Sequence, residues 1–373
     1  MIQSRRTFLS TAAKIVALAA MPLTTHAKQS EQHGLARRII DRFNRLPGRK
    51  GLKIWAPGGD GGREFLATIN PDTALFCASS FKGFVLAEFL RQMEAGETSL
   101  PELLPVDDRV WSHSSPILLP LPGTVTGEIQ AQTAIEAMIS RSDNTATDMT
   151  LKRVGVERVR QFIATIGLTN TRIPNSMRQF DAYVFGAPNW QTITWTEIVA
   201  LLQSGPPPTD HIFNNVQTMA ASPHDFVSFY SRALQGEFFQ RPETLTTFRS
   251  VLALADAIPH VMPLGVNAFM KGGNLEVPGE HALSVAGGMF IPPRRWVYYS
   301  LMINWLDGEG GDVAQVEGPF VSACKQIFTL LRDRLGSSCD AETGLDRAAT
   351  LEPGLILPAR PLDADPRTTK RFP

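Results

Sequence analysis

The chain has 373 residues, of which 43% are hydrophobic and 19% are charged, and its 36 basic residues balance its 36 acidic residues. This composition suits a globular protein of one large domain or two modest ones. A formal charge of zero gives no electrostatic reason to expect nucleic acid or an anionic membrane as a partner.

The first 27 residues have the pattern of an export signal. The pair Arg5-Arg6 precedes an apolar run over Ile15–Leu23 and a small-x-small sequence, Thr25-His26-Ala27. The run is too short for a good membrane span, and this order of features is typical of the twin-arginine pathway. A buried amphipathic helix is the alternative interpretation. We expect removal of residues 1–27, export to the periplasm, and a mature chain without a membrane span.

Helical and extended patterns alternate along the first two thirds of the chain. Residues 31–46 carry apolar side chains at helical spacing, and two short strands are predicted at 52–56 and 64–69. The segment 79–93 is apolar around much of its surface, which is typical of a helix inside a domain. Further helices are predicted, in chain order, at 134–140, 145–154, 157–166, 195–202 and 225–234.

The last third changes to strands. Segments 268–271, 282–291 and 296–305 are rich in β-branched and aromatic residues, and short turns join them, so they predict an antiparallel sheet. A helix is predicted at 315–334, and the aperiodic segment 339–373 is interpreted as a disordered tail.

These patterns predict an α/β (α+β) fold. An antiparallel sheet flanked by N- and C-terminal helices would occupy a domain over residues 31–335, with an all-helical subdomain of about 75–235 inserted in it. A cleft between sheet and subdomain is a natural place for a site.

The cysteines and histidines indicate neither a disulfide framework nor a metal site. Cys77, Cys324 and Cys339 are too few for a framework, and buried or free thiols are the simpler interpretation. The seven histidines form no HExxH pattern, and there is no CxxC motif. We therefore expect no metal and no cofactor.

A serine and a lysine three positions apart open the predicted buried helix, in the sequence Ser79-Ser80-Phe81-Lys82. At this spacing both side chains lie on one helix face. Burial and the positive potential of the helix N-terminus favour a neutral lysine, which can take the serine proton. The same spacing recurs at Ser322 and Lys325 in the middle of the last predicted helix, where we interpret it as structural.

Two other segments carry polar groups suited to a cleft. Ser142-Asp143-Asn144 lies at a junction of predicted helices, although all three residue types also cap helices. Lys271-Gly272-Gly273 lies near the end of a predicted strand, where the glycines leave room for a ligand. A surface lysine before a loose turn would give the same pattern, so neither segment alone indicates a site.

In this order the three segments resemble the SxxK, SDN and KTG set of class A β-lactamases and penicillin-binding proteins. Flanking sequence at 76–82, 142–146 and 171–173 adds to the resemblance, which covers about residues 31–335. It implies Ser79 as nucleophile, Lys82 as its base and Ser142 as the proton relay to the leaving nitrogen.

The resemblance also implies how a substrate binds. Asn144 would hold a side-chain amide of the substrate, and Lys271 would attract a carboxylate. The backbone N–H groups of Ser79 and Asn274, beside Gly273, would form an oxyanion hole. The implied substrate is a small-molecule β-lactam or a cell-wall peptide, and we expect a monomer.

The sequence departs from the family in three places. Gly272 replaces a residue with a hydroxyl, so one hydrogen bond to a substrate carboxylate is lost. Met177 occupies the position of the glutamate that activates the deacylating water, which leaves Asp181 as the nearest candidate base and Glu197 as a second one. Lys271 follows Ser142 by 129 positions, a longer separation than we expect for a compact class A enzyme. We place the extra residues between Tyr183 and Ser222, near the rim of the site.

Three functions therefore compete. The first is β-lactamase-like hydrolysis of a β-lactam amide through an acyl-enzyme at Ser79. The second is a penicillin-binding protein or D,D-peptidase that deacylates slowly, and the third is a catalytically silent protein that binds a cell-wall peptide. An ordinary esterase is less consistent with the sequence, because it has no GxSxG motif.

Overall fold

The computed structural model describes residues 23–58, 63–118 and 126–336, with side chains from residue 31 onward. Residues 1–22 of the predicted export signal and the whole predicted tail at 339–373 lie outside this part of the chain. Among the described residues, no helix has the length and apolar character needed to cross a bilayer.

Each helix and strand that the sequence predicts is present. The helices are α1 (Leu23–Phe43), α2 (Lys82–Glu94), α3 (Ala131–Ser140), α4 (Asn144–Val154), α5 (Val156–Thr165), α6 (Met177–Val184), α7 (Trp195–Ser204), α8 (Pro223–Ala233), α9 (Pro242–Leu252), α10 (Ile258–Val261) and α11 (Val313–Gly336). The strands are β1 (Arg49–Ala56), β2 (Phe65–Ile69), β3 (Leu75–Phe76), β4 (Leu103–Val106), β5 (Gly127–Gln130), β6 (Ala220–Ala221), β7 (Asn267–Val277), β8 (Glu280–Ile291) and β9 (Arg295–Leu306). In the part of the chain that the structure describes, seven of these elements, α6, α9, α10 and β3 to β6, were not predicted and lie between the others.

Five strands form one antiparallel sheet in the order β2-β1-β9-β8-β7, which confirms the predicted fold class. The two predicted hairpins are present, with turns at Pro278-Gly279 and Pro292-Pro293. Strands β8 and β9 are buried along most of their length, because helices cover both faces of the sheet.

The two faces carry different helices. On one face the ring centroids of Tyr299 in β9 and Phe328 in α11 are 4.5 Å apart. The adjacent residue Tyr298 pairs with Gly288, where an added Cβ would lie 2.6 Å from Leu234 at the end of α8. Since neighbouring residues of a strand point to opposite faces, α8 and α11 lie on opposite sides of the sheet.

Helix α2 is buried around most of its circumference, as predicted. It packs among the helices that follow β2 and precede β7 in the chain. The Phe84 ring stacks on Phe226 at 5.4 Å and meets Phe229 edge-on at 4.6 Å. This aromatic cluster fixes the position of the helix that carries Lys82.

Strand β7 and the start of α2 differ from the sequence prediction. The predicted strand ends at Lys271, but β7 continues to Val277, so placing Lys271 near a strand end is wrong. Gly272 pairs with Val285 and Gly273 with Ser284, because hydrogen bonding to β8 outweighs the low strand propensity of glycine. Ser79 lies in a 3-10 turn over Ala78–Phe81, and the α-helix begins at Lys82.

Candidate active site

The turn that carries Ser79 is attached to strands β7 and β8 by two buried serines. The hydroxyl oxygen of Ser80 lies 3.1 Å from the Lys271 carbonyl oxygen and 2.7 Å from the Ser284 hydroxyl. Ser284 in turn donates to the Cys77 carbonyl at 2.7 Å. These contacts fix the turn that carries Ser79, the predicted nucleophile, against the strand that carries Lys271.

Gly273 lets β7 approach the backbone of Ser79. A Cβ added at Gly273 would lie 2.6 Å from the Ser79 nitrogen and 3.0 Å from both Ala78 Cβ and Cys77 O. Such contacts are too short for any side chain, so position 273 requires glycine. The close approach brings Asn274 beside Ser79, which is the arrangement that an oxyanion hole from these two backbone N–H groups needs.

Lys82 is fully buried, and its amine is held by the loop at 142–144. Its Nζ donates to the Ser142 carbonyl at 2.6 Å and to Asn144 Oδ1 at 2.7 Å, and lies 3.2 Å from the Ser142 hydroxyl oxygen. Burial, aided by the charge of Lys271, lowers the pKa of Lys82 well below its usual value, although Asp143 and other carboxylates oppose this shift. A buried amine with a lowered pKa is suited to accept a proton.

The loop Ser142-Asp143-Asn144 combines helix capping with site geometry. The buried Asp143 carboxylate caps α4 by accepting from the Ala146 N–H at 2.8 Å. It also accepts from the N–H groups of Ile117 and Leu118 at 2.9 and 2.8 Å. Asp143 therefore caps α4, while Ser142 and Asn144 contact Lys82.

Several residues at the cleft have left-handed backbone conformations. Ala78, Ser114 and Ser142 have φ values of +46°, +57° and +56°, and all three line the same cavity. Non-glycine residues in this region cost about 1–3 kcal/mol each and persist only where the surroundings enforce them. Their clustering at one cleft is typical of a functional site.

Lys271 is 1% exposed and lies in the middle of β7. Its Nζ donates to the Gly272 carbonyl at 2.7 Å. Burial lowers the pKa of Lys271 to about 8, against an opposing attraction from Asp256. At Gly272 an added Cβ would lie 3.2 Å from Ala257 Cβ, so this position tolerates a small side chain better than Gly273 does.

Two adjoining cavities bring the predicted site residues together. The larger, of about 850 Å³, is lined by residues that include Ser79, Ser142, Asn144, Asn274 and Asp181. The smaller, of about 500 Å³, is lined by residues that include Ser142, Lys271, Gly273, Asn274 and Asp256. Lys82 lies beneath them in contact with Ser142 and Asn144. All of the predicted site residues except Glu197, the second candidate base, thus belong to one cleft.

Asp148, which lies one helical turn after Asn144 on α4, was not predicted from the sequence. Its buried carboxylate accepts from the N–H groups of Met177 and Arg178 at 2.6 and 3.2 Å, and so holds the start of α6. Burial raises the pKa of Asp148 to about 7, although those two hydrogen bonds, Arg178 and Lys82 oppose the shift. The signal available in the sequence was the i, i+4 spacing from Asn144, which puts both residues on one helix face.

The two candidate deacylation bases occupy different surroundings. Asp181 on α6 lines the larger cavity, and burial, followed by the charge of Asp148, raises its pKa to about 8. Glu197 is exposed and completes a capping box with Thr194 at the start of α7. Met177 also lines the larger cavity. Of the two acids, only Asp181 is placed beside the Ser79 cavity.

Part of the segment between Tyr183 and Ser222 forms a small hydrophobic cluster separate from the main core. The buried residues of this cluster are Ala187, Ile193 and Ile198, together with Ala182 of α6. Phe185 and Leu202 line the larger cavity. The segment in which we placed the extra residues therefore contributes to the wall of the cleft.

Cys77 and Cys324 are buried and free, while Cys339 lies outside the described residues. Within the described ranges, no group of three or more His, Cys, Asp or Glu side chains is arranged to hold a metal ion.

Comparison with known proteins gives a consistent assignment. A family model described as "Beta-lactamase enzyme family" matches residues 35–283, and no curated protein sequence matches significantly. Similar solved structures include a β-lactamase from Sphaerobacter thermophilus DSM 20745, with 20% identity and a TM-score of 0.59 over 82% of this chain and 97% of that one. A β-lactamase from Chitinophaga pinensis DSM 2588 has 16% identity and a TM-score of 0.62 over 81% and 99%. An acyl-enzyme complex of a PBP-A mutant with penicillin-G has 19% identity and a TM-score of 0.59 over 81% and 96%.

Proposed function

Because the chain belongs to the beta-lactamase enzyme family, we propose that it is a serine hydrolase that opens a β-lactam amide through an acyl-enzyme at Ser79. The observation that carries this proposal is the burial of the Lys82 amine between Ser142 and Asn144, beneath the cavity that Ser79 lines. Because membership of the family does not identify the substrate, the β-lactam amide as substrate is also part of this proposal.

In the proposed acylation, Lys82 acts as a neutral base. Two of its contacts, to the Ser142 carbonyl and Asn144 Oδ1, use the two N–H bonds of a neutral amine and leave its lone pair available. The Ser79 oxygen attacks the substrate carbonyl while its proton passes to Lys82. The C–N bond then breaks, and the proton reaches the leaving nitrogen through Ser142, which lies 3.2 Å from Lys82 Nζ.

We propose Asp181 as the base that activates the deacylating water. It is the carboxyl of α6 that lines the same cavity as Ser79. Because its pKa is raised to about 8, most Asp181 side chains hold a proton at neutral pH, and the fraction able to take a proton from water is small.

Two features of the site favour a second candidate function, the slowly deacylating penicillin-binding or D,D-peptidase type. Met177 stands where the family has its glutamate, and Asp181 is ionised only in part at neutral pH. For this second function the same acyl-enzyme forms at Ser79, but it persists because deacylation is slow.

A chromogenic cephalosporin separates these functions when colour and intact protein mass are followed together. Steady colour supports hydrolysis, and a single burst with a lasting mass increase supports the slow type. If neither signal appears, the acyl-enzyme proposal fails and the silent binding protein remains. Ser79→Ala should abolish both signals, whereas Ser322→Ala, at the exposed repeat of the same spacing on α11, should leave them unchanged.

We also propose that the protein works in the periplasm after export by the twin-arginine pathway. The support is the order of arginine pair, apolar run and cleavage sequence in residues 1–27. Expression in a strain that lacks this pathway, followed by cell fractionation, should leave the protein in the cytoplasm, as should replacing Arg5 and Arg6 by lysine.

A further inference from the structure

The smaller cavity of the cleft extends beyond the groups that the proposed acylation uses. Ser142 and Asn274 line both this cavity and the larger one that holds Ser79, so the two are continuous. Under the proposed function Ser142 passes a proton to the leaving nitrogen, and Lys271, which also lines the smaller cavity, is expected to bind the substrate carboxylate. A penicillin or cephalosporin carries its carboxylate on the carbon beside that nitrogen. The groups next to the carboxylate therefore lie at the entrance to this cavity, which we call the side pocket.

The side pocket reaches around the edge of the sheet to the face opposite Ser79. Strand β7 is an edge strand. Gly273 faces Ser79, because a Cβ added at Gly273 would lie 2.6 Å from the Ser79 nitrogen. The neighbouring Gly272 therefore faces the other side of the sheet. A Cβ added at Gly272 would meet Ala257 Cβ at 3.2 Å and Val285 Cγ1 at 3.9 Å, and all three residues line the side pocket.

The inner wall of the side pocket is apolar. The apolar residues that line it come from α10, α11 and the two edge strands of the sheet, and they are buried or partly buried: Ala257, Val261, Leu283, Val285, Phe320 and Val321. Asp256, His260 and Glu317 also line the pocket, but at exposed positions. Apolar surface that moves from water onto such a wall is stabilised in proportion to the area buried. A pocket of about 500 Å³ has room for a group as large as a benzyl ring.

Gly272 leaves the way into the side pocket open. It lies directly after Lys271, where a larger side chain would occupy the space between Ala257 and Val285. The glycine that offers no hydroxyl to a substrate carboxylate thus leaves room for an apolar group beside that carboxylate.

We propose that the side pocket binds an apolar substituent next to the substrate carboxylate, and that Gly272 and Val321 determine this specificity. The inference rests on the proposed acyl-enzyme function and names the substrate class of that site. Cephalosporins with an apolar group at C3 belong to this class, since C3 adjoins the carbon that bears the carboxylate. Lys271 keeps the carboxylate, while the adjoining group enters the pocket.

Three cephalosporins test this specificity. They share a phenylacetamido group at C7 and the carboxylate at C4, and they carry hydrogen, methyl or benzyl at C3. None of these C3 groups leaves during the reaction. In each case the bond from Ser79 Oγ to the lactam carbon forms, the lactam C–N bond breaks, and the serine proton passes to the ring nitrogen.

The measurement is the second-order acylation rate constant, from the increase in intact mass and the loss of β-lactam absorbance. It is divided by the hydroxide-catalysed rate of the same compound, which corrects for intrinsic reactivity. For the native protein we expect the benzyl compound to exceed the hydrogen compound by about tenfold, with the methyl compound between them.

Two substitutions fill the side pocket from different walls. Val321→Trp on α11 and Gly272→Val on β7 should each reduce the benzyl-to-hydrogen ratio by about threefold or more, because the added side chain occupies the space of the benzyl group. Ser322→Trp is the matched control, since Ser322 is the next residue of α11, is exposed and does not line the pocket. It should leave the ratio unchanged. Thermal unfolding shows whether each variant is folded, and Val321→Phe, a smaller change, replaces one that is not.

The outcomes separate the two proposals. If the cephalosporins acylate Ser79 but the hydrogen compound reacts as fast as the benzyl compound, the specificity is wrong and the acyl-enzyme function stands. The same holds if the filling variants keep the native ratio, or if Ser322→Trp lowers it as much as they do. If none of the three compounds acylates the protein, and penicillin-G also fails, both proposals fall.

Discussion

Gly273 is the residue whose replacement gives the sharpest test of the site geometry. We expect Gly273→Ala to lower the acylation rate by about 10²–10³-fold, because the new Cβ would push β7 away from the Ser79 N–H and disrupt the proposed oxyanion hole. Gly272→Ala is the matched control, since its Cβ meets Ala257 at 3.2 Å, and should cost less than about tenfold. Stopped-flow acylation by a chromogenic cephalosporin measures both. Equal rates for the two variants would refute this role of Gly273.

Asp181 gives a prediction about pH. Its raised pKa of about 8 means that the ionised base becomes more abundant as the pH rises. Deacylation should therefore accelerate by about tenfold per pH unit below 8 and level off above it. The decay of the acyl-enzyme mass after a brief pulse of substrate measures this rate. Asp181→Asn should give a slow and flat profile, and an unchanged profile in that variant would exclude Asp181 as the base.

At the scale of secondary structure, the start of α4 is the element on which the site most depends. Asp143 is fully buried and accepts three backbone N–H bonds, from Ala146, Ile117 and Leu118. Asp143→Ala would leave all three donors without their acceptor and should lower the free energy of unfolding by about 2–4 kcal/mol.

Thr194→Ala is the control for this prediction, because Thr194 caps α7 at an exposed position where water can replace the lost bond. We expect it to cost about 1 kcal/mol or less. Urea unfolding of both variants gives the comparison. A loss in Asp143→Ala no greater than that in Thr194→Ala would mean that the buried cap is not important for stability.

The sequence predicted the long, periodic elements and failed where contacts across the chain decide the structure. The hairpins of β7, β8 and β9 follow from strand-forming residues and turns, which are local signals. The extension of β7 through Gly272 and Gly273 depends on pairing with β8, which no local pattern encodes. Helix α6 was also missed, although Ser176 caps it locally by accepting from the Gln179 N–H. The second acceptor at its start, Asp148, is distant in sequence.

The site residues divide in the same way, into those that a sequence motif predicts and those that depend on contacts across the chain. The order of the three motifs predicted Ser79, Lys82 and Lys271, because it could be compared with a known family. Asp148 could not be found in this way, because only the fold brings it close to Met177 and Arg178. The strained conformations of Ala78 and Ser142 were likewise invisible in the sequence.

For the whole molecule, the raised pKa values of Asp148 and Asp181, about 7 and about 8, predict how stability depends on pH. In the unfolded chain both carboxyls ionise near pH 4. Between about pH 4 and pH 8 these two carboxyls bind more protons in the folded protein than in the unfolded chain, so their contribution to the free energy of unfolding should fall as the pH rises. The lowered pKa values of Lys82 and Lys271 act in the opposite direction, mainly towards higher pH.

Thermal unfolding across this range tests the prediction. Asp181→Asn removes one of the two groups and should flatten the dependence, whereas Asp41→Asn, at an exposed position on α1, should leave the slope as it is. A slope that Asp181→Asn does not change would show that this carboxyl has the same pKa in both states.

The proposed acyl-enzyme at Ser79 is tested most directly by locating the covalent adduct after reaction with penicillin-G, by digestion and tandem mass spectrometry. We expect one acyl group per chain, on the hydroxyl of Ser79, present in Ser322→Ala and absent in Ser79→Ala. An adduct on any other residue, or one that persists in Ser79→Ala, would contradict it.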